Sequence, residues 1–120
     1  MAVPPLGTTD PTAALRAAVG RLVNRTAHWT PARWALPAKG GPRRRTRADE
    51  IFALIQRLAD LGATAEGRPG RKVPRPDSDL TLDDQLRVMA NDLVAAAPTD
   101  DLIRTATEAV NAANTALDLT

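Results

Sequence analysis

The chain has 120 residues, of which 43% are hydrophobic, with one phenylalanine, two tryptophans and no tyrosine; this composition predicts one globular domain built from helices. It has no cysteine, which excludes disulfides, thiolate metal sites and thiol catalysis. No apolar run approaches the ~20 residues that a membrane span requires, so we expect a cytoplasmic protein without a membrane partner.

The small net charge of +2 conceals an uneven distribution. Residues 1–75 contain 14 Lys and Arg against 5 Asp and Glu, whereas residues 76–120 contain 2 against 9. An asymmetry of this kind indicates either an acidic partner for the basic half or mutual neutralisation of the two halves within one fold. A genome composition that favours arginine would also enrich the chain in this residue without a functional reason.

The N-terminal region predicts a tail followed by a helix. Residues 1–9 hold prolines and threonines without an apolar period and are predicted as a flexible tail, which leaves residues 10–120 as a single helical domain. Asp10 and Pro11 form a strong helix start, because Asp can accept hydrogen bonds from free N–H groups and proline suits the first helical position. The apolar period predicts a helix over about residues 11–28.

A short helical turn over about residues 31–36 is predicted next, flanked by Trp29 and Trp34. Two neighbouring tryptophans could stack on a ligand or on nucleic-acid bases. Large aromatic side chains beside a helix end also commonly cover the end of an apolar core. We therefore keep Trp29 and Trp34 as ligand-binding candidates beside the structural alternative.

The segment 46–62 is the most apolar helix candidate. Its apolar residues cover about half of the helix circumference, which predicts contact with neighbours on two sides. Thr46 and Asp49 have the spacing of a capping box at the start, and Gly62 is predicted to end the helix.

A basic loop lies on each side of this helix. Guanidinium groups bind phosphates and carboxylates in a bidentate manner, and a loop can present several of them together. The same residues could instead be a solvated surface or a counter-charge for an acidic surface. As candidate phosphate-binding or partner-binding residues we take Arg43, Arg44, Arg45 and Arg47 in the first loop, and Arg71, Lys72 and Arg75 in the second, which spans residues 63–78.

Two further helices are predicted over about residues 81–97 and 99–118. Thr81 and Asp84 again have capping-box spacing, and Pro98 separates the two helices. Because the link is so short, the two helices should form an antiparallel hairpin. The prediction for the whole chain is an all-α, up-down four-helix bundle with two long basic loops, placed roughly 25 Å apart at the two ends of the second long helix.

Catalytic motifs are missing from the sequence. His28 is the only histidine, and there is no nucleophile elbow, phosphate-binding loop or zinc-protease motif. We therefore expect no enzyme, no metal and no cofactor. The first functional hypothesis is a helical protein-interaction module that binds a protein partner or self-associates as a homodimer. The alternative is a nucleic-acid-associated protein whose arginine loops make non-specific phosphate contacts.

Overall fold

Five α-helices and one 3-10 turn form the described part of the chain, residues 10–39 and 45–118 of the computed structural model. The expectation of an all-helical fold is confirmed for these residues, which contain no strand. No described helix combines the length and apolarity needed to cross a lipid bilayer. The predicted tail, residues 1–9, lies outside the described residues. The helices are α1 (Pro11–Thr26), α2 (Pro31–Trp34), α3 (Arg47–Ala65), α4 (Leu82–Ala95) and α5 (Asp100–Ala116), and the 3-10 turn is Asp79–Thr81.

Three of the predicted helix starts are confirmed by side-chain hydrogen bonds. Asp10 accepts from the N–H of Ala13 at 3.1 Å, and Thr99 caps α5. Thr46 and Asp49 form a reciprocal capping box at the start of α3. These bonds join residues three positions apart, so the local sequence is sufficient to specify them.

The predicted cap at Thr81 is wrong. The 3-10 turn precedes α4 directly and gives Thr81 a helical backbone conformation, so its side chain caps no N–H group of α4. Its hydroxyl donates instead to the carbonyl of Ser78 at 2.8 Å. Ser78 is the residue that caps this region, because its side chain accepts from the N–H of Leu80.

Gly62 does not end α3, contrary to the prediction. The helix continues to Ala65, and the left-handed conformation that follows it is at Gly67, with φ of 68°. Gly62 is buried against α4, where an added Cβ would lie 3.9 Å from the Cα of Leu93. Glycine at this position permits a close approach of two helices.

Helices α3 and α4 run in the same direction. Arg75 contacts both Asp49, in the first turn of α3, and Asp79, just before α4, so the two helices begin close together. Gly62 and Leu93 meet near the opposite ends of the same helices. The connecting residues 66–81, which we call the crossover, therefore return along the length of α3, and this path explains the unusual length of the loop.

The other helices surround this parallel pair in an order that the sequence did not predict. The side chain of Thr26 at the end of α1 donates to Asp83 at the start of α4, and Arg25 contacts Asn114 near the end of α5. The helix pairs in extensive contact are α1 with α4, α1 with α5, α3 with α4 and α3 with α5. Helices α4 and α5 are thus diagonal, and neither the up-down alternation nor their predicted hairpin is observed.

One apolar core joins all four long helices. Residues that are no more than 2% exposed come from each of them, and both tryptophans extend the core beyond the end of α1. Burial of each such aliphatic side chain contributes about 1.5–3 kcal/mol. The core residues with the least exposed surface are Leu15, Leu22, Ile55, Leu58, Leu82, Leu86, Ala106, Val110 and Leu117.

Candidate functional site

The crossover is held on α3 and α4 by two glutamine side chains. Gln56 uses both ends of its amide, donating to the carbonyl of Arg71 and accepting from the N–H of Val73, each at 2.8 Å. Gln85 of α4 donates to the carbonyl of Pro74 at 3.1 Å. These bonds satisfy backbone groups that would otherwise need water, and they fix the direction in which neighbouring side chains leave the segment.

Arg75 ties the far end of the crossover to the start of α3. Its guanidinium pairs with Asp49 at 3.1 Å and with Asp79 at 3.5 Å, and it lies 5.0 Å from the ring centroid of Phe52. A cation above an aromatic face gains a further electrostatic attraction. The guanidinium of Arg75, a candidate phosphate-binding residue, is therefore already paired with carboxylates of its own chain.

The two basic loops meet at Asp49. Arg45, from the first loop, donates to the carbonyl of Asp49 at 3.3 Å and pairs with Glu50, while Arg75 of the second loop binds the Asp49 carboxylate. The predicted separation of roughly 25 Å is wrong for Arg45 and Arg75, because the crossover returns to the first turn of α3. The structure therefore places basic residues from both loops on one end of the bundle.

The Asp49 carboxylate stabilises this meeting point and has a pKa below its ordinary value. The backbone N–H of Thr46 is the main cause, and Arg75 adds to it; burial acts in the opposite direction and is outweighed. Folding therefore keeps Asp49 ionised at pH values at which the unfolded chain takes up a proton. Its contribution to stability is complete above the ordinary aspartate pKa and is lost as the pH falls through the lowered value.

Replacing Asp49 with asparagine is expected to lower the free energy of unfolding by about 1 kcal/mol at neutral pH, through loss of a charged cap and of an exposed ion pair. The difference from the wild-type protein should stay constant between about pH 7 and about pH 5, and it should shrink as the pH falls further, from about 5 to about 2. Urea unfolding across this range measures both effects. Asp101→Asn is the matched control, because that carboxylate is 96% exposed and should contribute little. If the difference in unfolding free energy between Asp49→Asn and the wild-type protein were independent of pH, this would contradict the stabilising role assigned to the ionised Asp49 carboxylate.

A groove lies between the crossover, α3 and α4, with a volume of about 280 Å³. Its floor is apolar and its rim is charged. The floor is formed by Leu58, Ala59, Gly62, Ala63, Val73, Met89 and Leu93; the charged residues are Arg68, Arg71, Lys72, Glu66 and Asp92. We call this site the crossover groove.

Two cations of the crossover groove are uncompensated. Arg68 pairs with Glu66 at 2.7 Å, so these two charges largely cancel. Arg71 and Lys72 are exposed, and neither forms an ion pair with a residue in the described part of the chain. Their backbone is fixed by Gln56. The groove thus presents two positive charges from a pre-formed position beside an apolar floor, together with the carboxylate of Asp92, which forms no ion pair in the described part of the chain either.

The remaining predicted residues form a second site at the end of α1. The rings of Trp29 and Trp34 meet edge to face, 5.0 Å apart at an angle of 69°, and are 7% and 1% exposed. The guanidinium groups of Arg47 and Arg33 lie 4.6 Å and 5.4 Å from the ring centroid of Trp29. Together with Arg25, these residues are the arginine–tryptophan cluster.

Arg47 is the unusual member of this cluster because it is only 3% exposed. Burial is the main cause that lowers its pKa, and repulsion by Arg33 and Arg25 adds to the effect, against a smaller attraction by Asp118. The Nε and Nη1 atoms of Arg47 are buried, and neither has a hydrogen-bond partner in the part of the chain that the structure describes. A guanidinium loses much of its hydration in such a place, and few buried polar groups in proteins remain unpaired.

The structure therefore separates the residues that the sequence grouped together. Arg71 and Lys72 line the crossover groove, Arg45 and Arg75 converge on Asp49, and Arg47 joins the two tryptophans. Sequence reasoning missed Gln56, Arg68, Arg25 and Arg33. The spacing of Trp29 and Arg33 across a helical turn was a usable signal, whereas nothing in the sequence marks Gln56. Arg43 and Arg44 lie outside the described residues.

Neither a metal site in the described residues nor similarity to another protein is available to indicate the function. Within residues 10–39 and 45–118, no three His, Asp or Glu side chains lie close enough together to hold a metal ion. Comparisons with protein-family models, with curated proteins and with solved structures found no match to this chain. Function is therefore inferred from the charges and the apolar surface of the two sites.

Proposed function

We propose that this chain is a non-enzymatic protein-interaction module whose crossover groove binds an acidic segment of a partner protein. The observation that carries the proposal is the pair of uncompensated cations, Arg71 and Lys72, on the rim of an apolar groove. A peptide that alternates carboxylates with large apolar side chains complements this surface.

Both parts of the groove contribute to such binding. Burial of apolar surface against Ala59, Val73 and Met89, which are only partly buried, supplies free energy at about 25 cal/mol per Å², and the cations select the sign of the flanking charges. Because Gln56 already orders the backbone of residues 71–73, little conformational entropy is lost there on binding.

The charges of the groove favour a peptide over nucleic acid. Glu66 and Asp92 line the same groove as Arg71 and Lys72. Glu66 is already paired with Arg68, so Asp92 is the carboxylate that would repel a polyphosphate backbone, whereas a peptide can place an uncharged or basic side chain beside it. Nucleic-acid association through the arginine loops is the competing function, and a homodimer is the competing partner; the binding experiment separates both from the proposal.

The test uses a fluorescein-labelled peptide of alternating pairs of glutamate and leucine, with a lysine–leucine peptide as the charge-reversed control. We expect fluorescence anisotropy to show saturable binding of the acidic peptide alone. The double substitution Arg71→Glu and Lys72→Glu should weaken that binding at least about tenfold, equivalent to about 1.4 kcal/mol. The matched control is Arg16→Glu with Arg21→Glu, which makes the same change of net charge on α1, outside the groove.

Several outcomes would overturn the proposal. Equal losses in the two double variants would show that net charge, and not the groove, attracts the peptide. Tighter binding of a labelled DNA duplex, with an affinity that falls steeply between about 50 and 200 mM salt, would assign the basic residues to nucleic acid. A dimer in light scattering that the Arg71→Glu, Lys72→Glu variant abolishes would make a second copy of the chain the occupant.

A further inference from the structure

The arginine–tryptophan cluster contains more positive charge than the described residues neutralise. Arg25 donates to the backbone carbonyl and the side chain of Asn114, and it pairs with Asp118 at 2.6 Å. Neither Arg33 nor Arg47 forms an ion pair with any residue in the ranges that the structure describes. Asp118, the described carboxylate that attracts Arg47, is already bound to Arg25.

The state of Arg47 is energetically unfavourable without a counter-charge. Contact with the ring of Trp29 compensates only part of the hydration that a buried guanidinium loses. Two of its three nitrogen atoms, Nε and Nη1, have no acceptor among residues 10–39 and 45–118. Buried cations in proteins are normally paired, so a buried and unpaired guanidinium indicates that an anion completes the site.

We propose that Arg47 and Arg33, beside Trp29, form a binding site for a small tetrahedral oxyanion of the phosphate or sulfate type. The guanidinium fork of Arg47 offers the donor geometry that such an anion accepts. Arg33 supplies a second, more exposed guanidinium next to the same ring.

The short helix α2 and a short backbone pairing lie beside Arg47. Helix α2 has four residues, and Trp34 is the only one of them that is buried. The segment before α3 is joined to the segment after α2 by two backbone bonds, from Ala38 to Arg45 and from Arg47 to Leu36. Access of an anion to the buried nitrogens of Arg47 therefore requires displacement of α2 and of this short pairing. This site is independent of the crossover groove.

Intrinsic fluorescence reports directly on the site, because Trp29 and Trp34 are the only tryptophans of the chain. Titration with inorganic phosphate at constant ionic strength should change tryptophan emission in a saturable manner. Saturating phosphate should also raise Tm by roughly 5 °C, since a ligand that binds only the folded state stabilises it. Sulfate should act in the same way, and acetate should not.

The substitution Arg47→Met separates binding from folding. Methionine keeps an unbranched chain against Trp29 and removes the buried charge. We expect it to abolish the emission change and the phosphate-dependent shift of Tm, while Tm without phosphate stays equal to or above that of the wild-type protein. Arg21→Met, on the exposed surface of α1, is the matched control and should respond to phosphate as the wild type does.

A second variant keeps the test decisive if Arg47→Met fails to fold. Arg33→Met changes an exposed residue and should weaken the response to phosphate at least about fivefold without loss of structure. Absence of a saturable response in the wild-type protein would overturn the proposal. An unchanged response in Arg33→Met, or an equal response to acetate, would overturn it as well.

Discussion

Replacing Trp34 with alanine is expected to lower the free energy of unfolding by about 3–5 kcal/mol, the range observed when a large buried aromatic side chain is removed. Trp34 is 1% exposed and packs edge to face on Trp29. It is also the only buried residue of α2, so no other side chain of that helix can hold it on the bundle. The substitution should release α2 and leave the ring of Trp29 exposed to solvent.

Urea unfolding followed by circular dichroism measures this loss without relying on tryptophan emission. Trp34→Phe, which keeps an aromatic ring in the site, should lose less stability than Trp34→Ala. Leu80→Ala changes a side chain that is 53% exposed and should alter stability by no more than about 0.5 kcal/mol. A loss below about 1 kcal/mol for Trp34→Ala would show that this side chain does not anchor α2. The remaining tryptophan should emit at longer wavelength in Trp34→Ala.

Replacing Gly62 with leucine is expected to cost about 1–3 kcal/mol, because the added side chain has to fit between two helix backbones. A Cβ at Gly62 lies at ordinary contact distance, 3.9 Å, from the Cα of Leu93, so a longer side chain has to be placed beside the backbone of α4. Gly62→Ala should therefore be tolerated. It could stabilise the protein by up to about 1 kcal/mol through the higher helix propensity of alanine.

Gly20 provides the matched control for Gly62. It also lies within a helix, but no atom is found within 4 Å of the position that its Cβ would occupy. Gly20→Leu should consequently be neutral or stabilising, whereas Gly62→Leu should be destabilising. Thermal and urea unfolding of the four variants, alanine and leucine at each site, measure the comparison. Equal effects of leucine at the two sites would contradict the close approach of α3 and α4.

Local sequence was sufficient for the helices and for most of their starts. Asp10, Thr46 and Thr99 cap helices through hydrogen bonds to residues three positions ahead, so the donor and the acceptor of each bond lie within four consecutive residues. Thr81 had the same pattern, but a 3-10 turn placed it in a different backbone conformation. The local pattern is also ambiguous at helix ends, as Gly62 shows. The sequence does not distinguish a glycine that ends a helix from a glycine that lets a neighbouring helix pack closely.

The candidate sites depended on contacts between distant parts of the chain. Arg71 and Lys72 were selected as basic residues of a loop, but the groove beside them exists only because the crossover lies against α3 and α4. Arg45 and Arg75 were placed far apart by helix length and meet at Asp49. The burial of Arg47 could not be anticipated, because its neighbours in sequence are basic and polar.

The sequence by itself determined an all-helical fold, the position of each long helix and the surplus of positive charge in its first 75 residues. Apolar periodicity and capping residues act over a few neighbouring residues, and composition is a sum over the whole chain, so these properties can be obtained without the tertiary structure. Tertiary structure alone decided that α3 and α4 run in parallel, that Gln56 fixes the crossover and that Arg47 is enclosed beside Trp29. Helices with similar apolar faces can pack in several orders, and the order is chosen by long-range contacts whose partners are dozens of residues apart in the chain.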